Sequence, residues 1–195
     1  PFHLAALESD DEGSRSVFSR LSNESRLTCI QFLMENGADA NATTGRGRTA
    51  LSLRVRRDWK ANPPSDMVQA LVKLGAVEVD KADDKNRTPL HIAGKSGSLA
   101  MVKLLVENEA NVNAEQGGKT HFTPLLWACR HEDTEMLTYL VEQGADINEA
   151  NSKGVTPLQW VCSNGRKAMV EAFVGFKIEY LKGRESKRLL EMVQA

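Results

Sequence analysis

A chain that repeats itself at a nearly fixed period is confined to architectures in which similar units stack on one another. Here Thr49-Ala50-Leu51, Thr88-Pro89-Leu90, Thr123-Pro124-Leu125 and Thr156-Pro157-Leu158 recur at separations of 39, 35 and 33 residues. A second landmark keeps nearly the same period: Gly37-Ala38-Asp39, Gly75-Ala76-Val77, Glu109-Ala110-Asn111 and Gly144-Ala145-Asp146. Asn41, Asn113 and Asn148 each follow one of these by four residues. Two landmarks in phase define one repeated unit.

Each landmark has a physical reading. Thr before Pro supplies an N-cap oxygen and then a residue with helical φ and no amide hydrogen to leave unsatisfied, so a helix starts there. After a polar break such as Ser96-Gly97, apolar residues return at helical spacing as Met101, Val102, Leu104, Leu105 and Val106. The glycine at 37, 75 or 144 then supplies the left-handed residue that closes this second helix. Each unit reads helix, turn, helix, loop.

These residues resemble the ankyrin repeat, whose Thr-Pro-Leu-His core stands in full as Thr88-Pro89-Leu90-His91. The resemblance covers nearly the whole chain. It implies an all-α solenoid of stacked helix-turn-helix units with β-hairpin fingers and a concave inner-helix face. Five units are expected, at 1–43, 44–82, 83–115, 116–150 and 151–195. Insertions near 9–25 and 58–64 extend the inter-helix turn of adjacent units and are expected to touch. The segment near 185–194 reads as an amphipathic capping helix. Glu109 stands where other units carry glycine and should cost on the order of 1 kcal/mol in a left-handed conformation. Pro1 opens the chain inside a repeat, so further repeats are expected upstream.

Composition narrows the functional classes. The chain is 41% hydrophobic and 26% charged, which supplies a core and excludes a disordered tail. Twenty-five Lys and Arg against 26 Asp and Glu leave a net charge of -1, so no global field points to nucleic acid or an anionic membrane. No apolar run approaches the roughly 18 residues of a spanning helix. Three cysteines, an odd count, fit reduced thiols and a cytoplasmic or nuclear location.

No catalytic residue, metal site or cofactor emerges. Gly94-Lys95-Ser96 lacks the upstream glycine of a phosphate loop and ends a helix instead of starting one. Cys129 and Cys162 are repeat equivalents expected in or near the core. His91 falls on the family's structural histidine, expected to tie adjacent loops together. His131-Glu132-Asp133 point in divergent directions at a helix end and make a poor metal set. Trp127 and Trp160 are repeat equivalents expected to pack in the core.

The basic cluster Arg46, Arg48, Arg54, Arg56, Arg57 and Lys60 is the strongest local charge signal. Its readings are pairing with Glu8, Asp10, Asp11 and Glu12 of the preceding unit, then an acidic protein partner, then nucleic acid. Repeat alignment places Arg46, Arg48, Lys85, Arg87, Lys119, Phe122 and Lys153 on successive fingers, free of any role in the stack. It places Arg56, Arg57, Lys95, Arg130 and His131 on inner-helix ends. Together they are the expected surface for a protein or peptide partner of acidic character, centred on Phe122 and Arg130. The expected function is non-enzymatic: a protein-interaction or scaffolding segment of a larger intracellular protein. The alternative is a regulatory domain contacting a catalytic or channel region of its own chain. Asn41, Asn113 and Asn148, each eight residues after a leucine, also resemble the ankyrin asparagines hydroxylated by an oxygenase in animal cells.

Overall fold

The computed structural model describes residues 22–58, 64, 66–73, 77–117 and 122–176. Most of both insertions, Lys60, Lys119, the acidic run 8–12 and the segment 185–194 lie outside them. The helices are α1 (Asn23–Glu35), α2 (Ala50–Arg57), α3 (Asp66–Lys73), α4 (Pro89–Ser96), α5 (Leu99–Glu107), α6 (Pro124–His131), α7 (Thr134–Glu142) and α8 (Pro157–Ser163). A ninth helical run, α9, covers 167–176. The first insertion ends earlier than expected, because Ser22 caps α1 through the amide of Ser25 at 3.2 Å.

The inner helices start where the threonines stand. The hydroxyls of Thr49, Thr88, Thr123 and Thr156 accept from the amides of Ser52, His91, Leu126 and Gln159 at 3.2–3.4 Å. Each satisfies one of the donors orphaned at a helix start. These helices stop after about two turns, and α4 and α6 close on left-handed Gly97 (φ 74°) and Glu132 (φ 57°). The outer helices α5 and α7 begin at once on Ser98 and Asp133, which cap Met101 and Met136. The chain therefore reverses within two residues and lays each outer helix on its own inner one.

Stacking builds the core. Helices α2, α4, α6 and α8 pack in series on the inner side, while α3, α5 and α7 pack on α2, α4 and α6. Repeat-equivalent residues fill the space between layers: Leu51, Leu90 and Leu125 from inner helices, and Met67, Met101 and Met136 from outer ones, all essentially without exposure. Burying a side chain of this size contributes about 1.5–3 kcal/mol. Because each unit lends its apolar face to the next, the units are held by neighbours and not by a central core.

Between outer helix and finger, a carboxamide or carboxylate of one unit reaches a backbone amide of the next. Asn41 Oδ1 accepts from the amide of Glu78 at 2.7 Å, Asp80 from that of Asn111 at 3.0 Å, and Asn113 Oδ1 from that of Asp146 at 2.8 Å. Asn113 also donates to the carbonyl of Gly144 at 3.0 Å. Glu109 adopts φ 69°, matching the left-handed Gly37 and Gly144.

The fingers differ from hairpins in one detail: among the described residues they contain no extended strand, only an isolated bridge at Asp39. Three of them are five-residue turns closed by the backbone bonds from Thr44 to Arg48, Asp83 to Arg87 and Asn151 to Val155, at 2.9–3.0 Å, each with a second backbone bond inside the turn. The chain enters a helix cap directly afterwards, so no residues remain to extend a ladder. Neighbouring fingers meet through single backbone bonds, from the Asp84 amide to the Arg46 carbonyl at 3.3 Å and from the Gly117 amide to the Asn86 carbonyl at 3.4 Å, beside side-chain contacts.

Candidate functional site

The first residue of each finger builds the turn from inside. Asp83 Oδ1 accepts from the amides of Lys85 and Arg87, both at 3.0 Å, and Asn151 Oδ1 does the same for Lys153 and Val155. Thr44 Oγ1 takes the corresponding place for Arg46 and Arg48. These short side chains mimic a backbone acceptor and fix the turn. Asp83 does more. It is 6% exposed, its Oδ2 accepts from Arg87 Nε at 2.9 Å and from Arg87 Nη2, and Arg48 Nε lies 3.9 Å away. Burial alone would raise this carboxyl, but the Arg87 guanidinium and the two amides outweigh it and hold the pKa below the ordinary value.

Two finger residues are thereby corrected. Arg48 is 8% exposed and Arg87 is half-buried, and both converge on Asp83, so neither is free of a role in the stack. Asp83 itself was missed from the sequence. Its signal is positional: it stands five residues before Thr88, as Thr44 and Asn151 do before Thr49 and Thr156.

His91 occupies the capping box of α4, where Nδ1 meets the Thr88 hydroxyl at 2.9 Å and the Thr88 amide at 3.2 Å. It is 1% exposed. Burial lowers its pKa to about 4, opposed by the backbone of Phe122 in the next unit and of Ala114 in its own. The imidazole is therefore a neutral structural group at pH 7.

Phe122 is not the exposed finger residue expected from alignment. It folds back onto Trp127, with ring centroids 4.9 Å apart and planes 26° apart. Trp127 is 7% exposed, yet it stands apart from the main apolar core. Much of its cover is cationic: Lys95 Nζ lies 5.7 Å and the Arg130 guanidinium carbon 5.4 Å from its ring. Each contact of this kind contributes about 0.5–1 kcal/mol at an exposed site. Trp160, its equivalent, is half-buried and packs against the core. The other equivalent pair also divides: Cys129 is buried, with its thiol pushed up to about 12 by desolvation, whereas Cys162 is exposed.

The concave side carries a groove of about 640 Å³ lined by Arg48, Arg56, Lys85, Arg87, His91, Ile92, Lys95, Ser96 and His131. Six of the expected partner-binding residues thus share one depression, flanked by the Trp127 pair with Arg130. His131 is committed within it, since its Nε2 lies 2.8 Å from the Lys95 carbonyl and its ring covers Gly97. Arg46, Arg57 and Lys153 are exposed but do not line the groove. Arg54 pairs with Asp58 at 3.0 Å. Among the described residues no group of His, Cys, Asp or Glu is arranged to hold a metal, and no helix is long and apolar enough to cross a membrane.

The sequence matches a family model described as "Ankyrin repeats (3 copies)" over residues 19–116 and one described as "Ankyrin repeats (many copies)" over 125–174. It is similar to alpha-latrotoxin-Lg1a of Latrodectus geometricus, 27% identical over 82% of this chain and 12% of that protein. It is 30% identical to inversin of Canis lupus familiaris over 82% of this chain and 14% of that protein. With the ankyrin repeat domain-containing protein SAT10 of Stachybotrys chartarum it shares 36% identity over 60% of this chain and 6% of that protein. The chain thus spans about a tenth of the length of such relatives.

Proposed function

Since the chain belongs to the ankyrin repeat family, whose repeats are protein–protein interaction modules, we propose that it recruits an acidic protein or peptide into its concave groove, as one segment of a larger intracellular scaffold. The carrying observation is the accumulation of Arg56, Lys85 and Lys95 in one depression of a chain whose net charge is only -1. A local field of one sign steers and selects an opposite partner. Catalysis plays no part in this reading. The three thiols, all free, fit a reducing compartment. Lys119, which lies outside the described residues, stays part of the proposed surface, as do Arg46, Arg57 and Lys153 at its margin. Asn41, Asn113 and Asn148 are retained as hydroxylation candidates, although Asn41 and Asn113 are already engaged with the neighbouring unit through their amide oxygens.

Fluorescence anisotropy with labelled oligoglutamate tests the reading. Binding should weaken steeply with salt and fall at least tenfold in a Lys95→Glu/Arg130→Glu double variant, while Lys73→Glu, on the outer helix α3, changes it little. Single-stranded DNA of equal charge binding more tightly than oligoglutamate would replace the acidic protein with nucleic acid.

A further inference from the structure

One cation recurs at the same place in three successive units. Arg56, Lys95 and Arg130 each stand at the seventh residue of α2, α4 and α6, all three are exposed, and the equivalent in α8 is Ser163. The three helices are neighbours in series. Packed helices lie about 8–10 Å apart, so the row presents a positive charge at each such step and spans about 16–20 Å from end to end. Lys95 and Arg130 are also positioned in advance, because both rest over the Trp127 ring. A partner that meets them loses less side-chain freedom than it would with two unrestrained lysines.

A linear partner must match that step with its own side chains. In a β-strand, residues i and i+3 point to opposite faces, so a strand cannot offer carboxylates at this spacing to one surface. A polyproline II helix can: it has three residues per turn and rises about 3.1 Å per residue, which returns the same face every 9 Å or so. Six residues cover about 19 Å, the length of the row.

We infer that the groove's occupant is a short acidic segment in the polyproline II conformation, with a carboxylate at every third residue, each meeting one cation of the Arg56–Lys95–Arg130 row. This rests on the reading of the groove as the surface for an acidic partner, and adds the spacing and backbone form of that partner. Lys95 and Arg130 hold the central and terminal contacts. Ser163 ends the row at unit five, so a fourth carboxylate in register gains nothing from an added cation there.

Three labelled nine-residue peptides of equal charge separate the possibilities: glutamates at positions 1, 4 and 7 in a proline background, the same positions in a glycine background, and positions 1, 3 and 5 in a proline background. The first should bind at least fivefold more tightly than either other. Lys95→Ala and Arg130→Ala should each remove that preference without lowering the melting temperature, and Lys73→Ala, on the outer helix α3, should leave it intact. Equal binding of all three peptides would overturn the spacing while leaving an acidic partner in place. Failure of all three, together with failure of oligoglutamate, would overturn the groove reading itself.

Discussion

His91 is neutral because it is buried, and that makes its protonation a matter of folding. Its pKa of about 4 in the folded chain lies below the ordinary 6.5, so between these values the unfolded chain binds more protons. The associated stability is fully present above pH 6.5 and is lost as pH falls toward 4. Moving from pH 7 to 4.5 should cost the native protein about 2.5 kcal/mol more than a His91→Asn variant, measured by urea unfolding; equal losses would refute this. Asp83, with its lowered pKa, keeps its contribution above the unfolded carboxylate value and loses it only as pH falls through its own, so it adds to the decline at the acid end. The structural role of His91 was legible in Thr88-Pro89-Leu90-His91. The fate of Phe122 was not, because alignment assigns a residue to a finger but does not say which neighbour its ring will meet. Here the neighbour was Trp127, itself lying outside the main core.

Helices α1, α5 and α7 end on left-handed residues, and α5 alone of these does so without glycine. Glu109→Gly should raise stability by about 1 kcal/mol and the melting temperature by about 2–4 °C, followed by circular dichroism. A lower melting temperature would mean that the Glu109 side chain contributes more than its backbone strain costs. Most element positions could be read from sequence because the start has a local chemical cause, a threonine, serine or aspartate whose side-chain oxygen caps the helix. The rung at Asp80 was hidden. Counting forward from Gly75 leads to Val79, whereas counting back eight residues from Thr88 gives Asp80, as the same count from Thr49 and Thr156 gives Asn41 and Asn148. One extra residue after Gly75 shifts the frame, and only the hydrogen bond to Asn111 restores it.

Across the stack, cooperativity depends on how firmly each unit grips the next. Asn113 makes two such bonds, to Asp146 and Gly144, worth about 1–2 kcal/mol together. Asn113→Ala should therefore loosen units four and five from the rest. In a Trp59→Phe background, which leaves Trp127 and Trp160 in those units, tryptophan fluorescence should then report a lower urea midpoint than circular dichroism, whereas the two should coincide without the Asn113 change. Coincident transitions in the variant would show that apolar contact alone couples the units. The solenoid as a whole was legible, since its period is written in the sequence. Where its cations converge was not, because Arg48 and Arg87 turn inward to Asp83 while Lys95 and Arg130 lie over an indole, and neither arrangement leaves a periodic mark.

The rungs also bear on how such a chain can change over generations. An Asn41 or Asn113 side chain that reaches for a backbone amide reads nothing of its neighbour's identity, since every residue except proline presents the same N–H. A duplicated, deleted or exchanged unit therefore meets a ready-made joint, provided proline is kept from positions 78, 111 and 146. Length and order are free to drift by whole units, while selection acts separately on the fingers and inner-helix ends that face a partner.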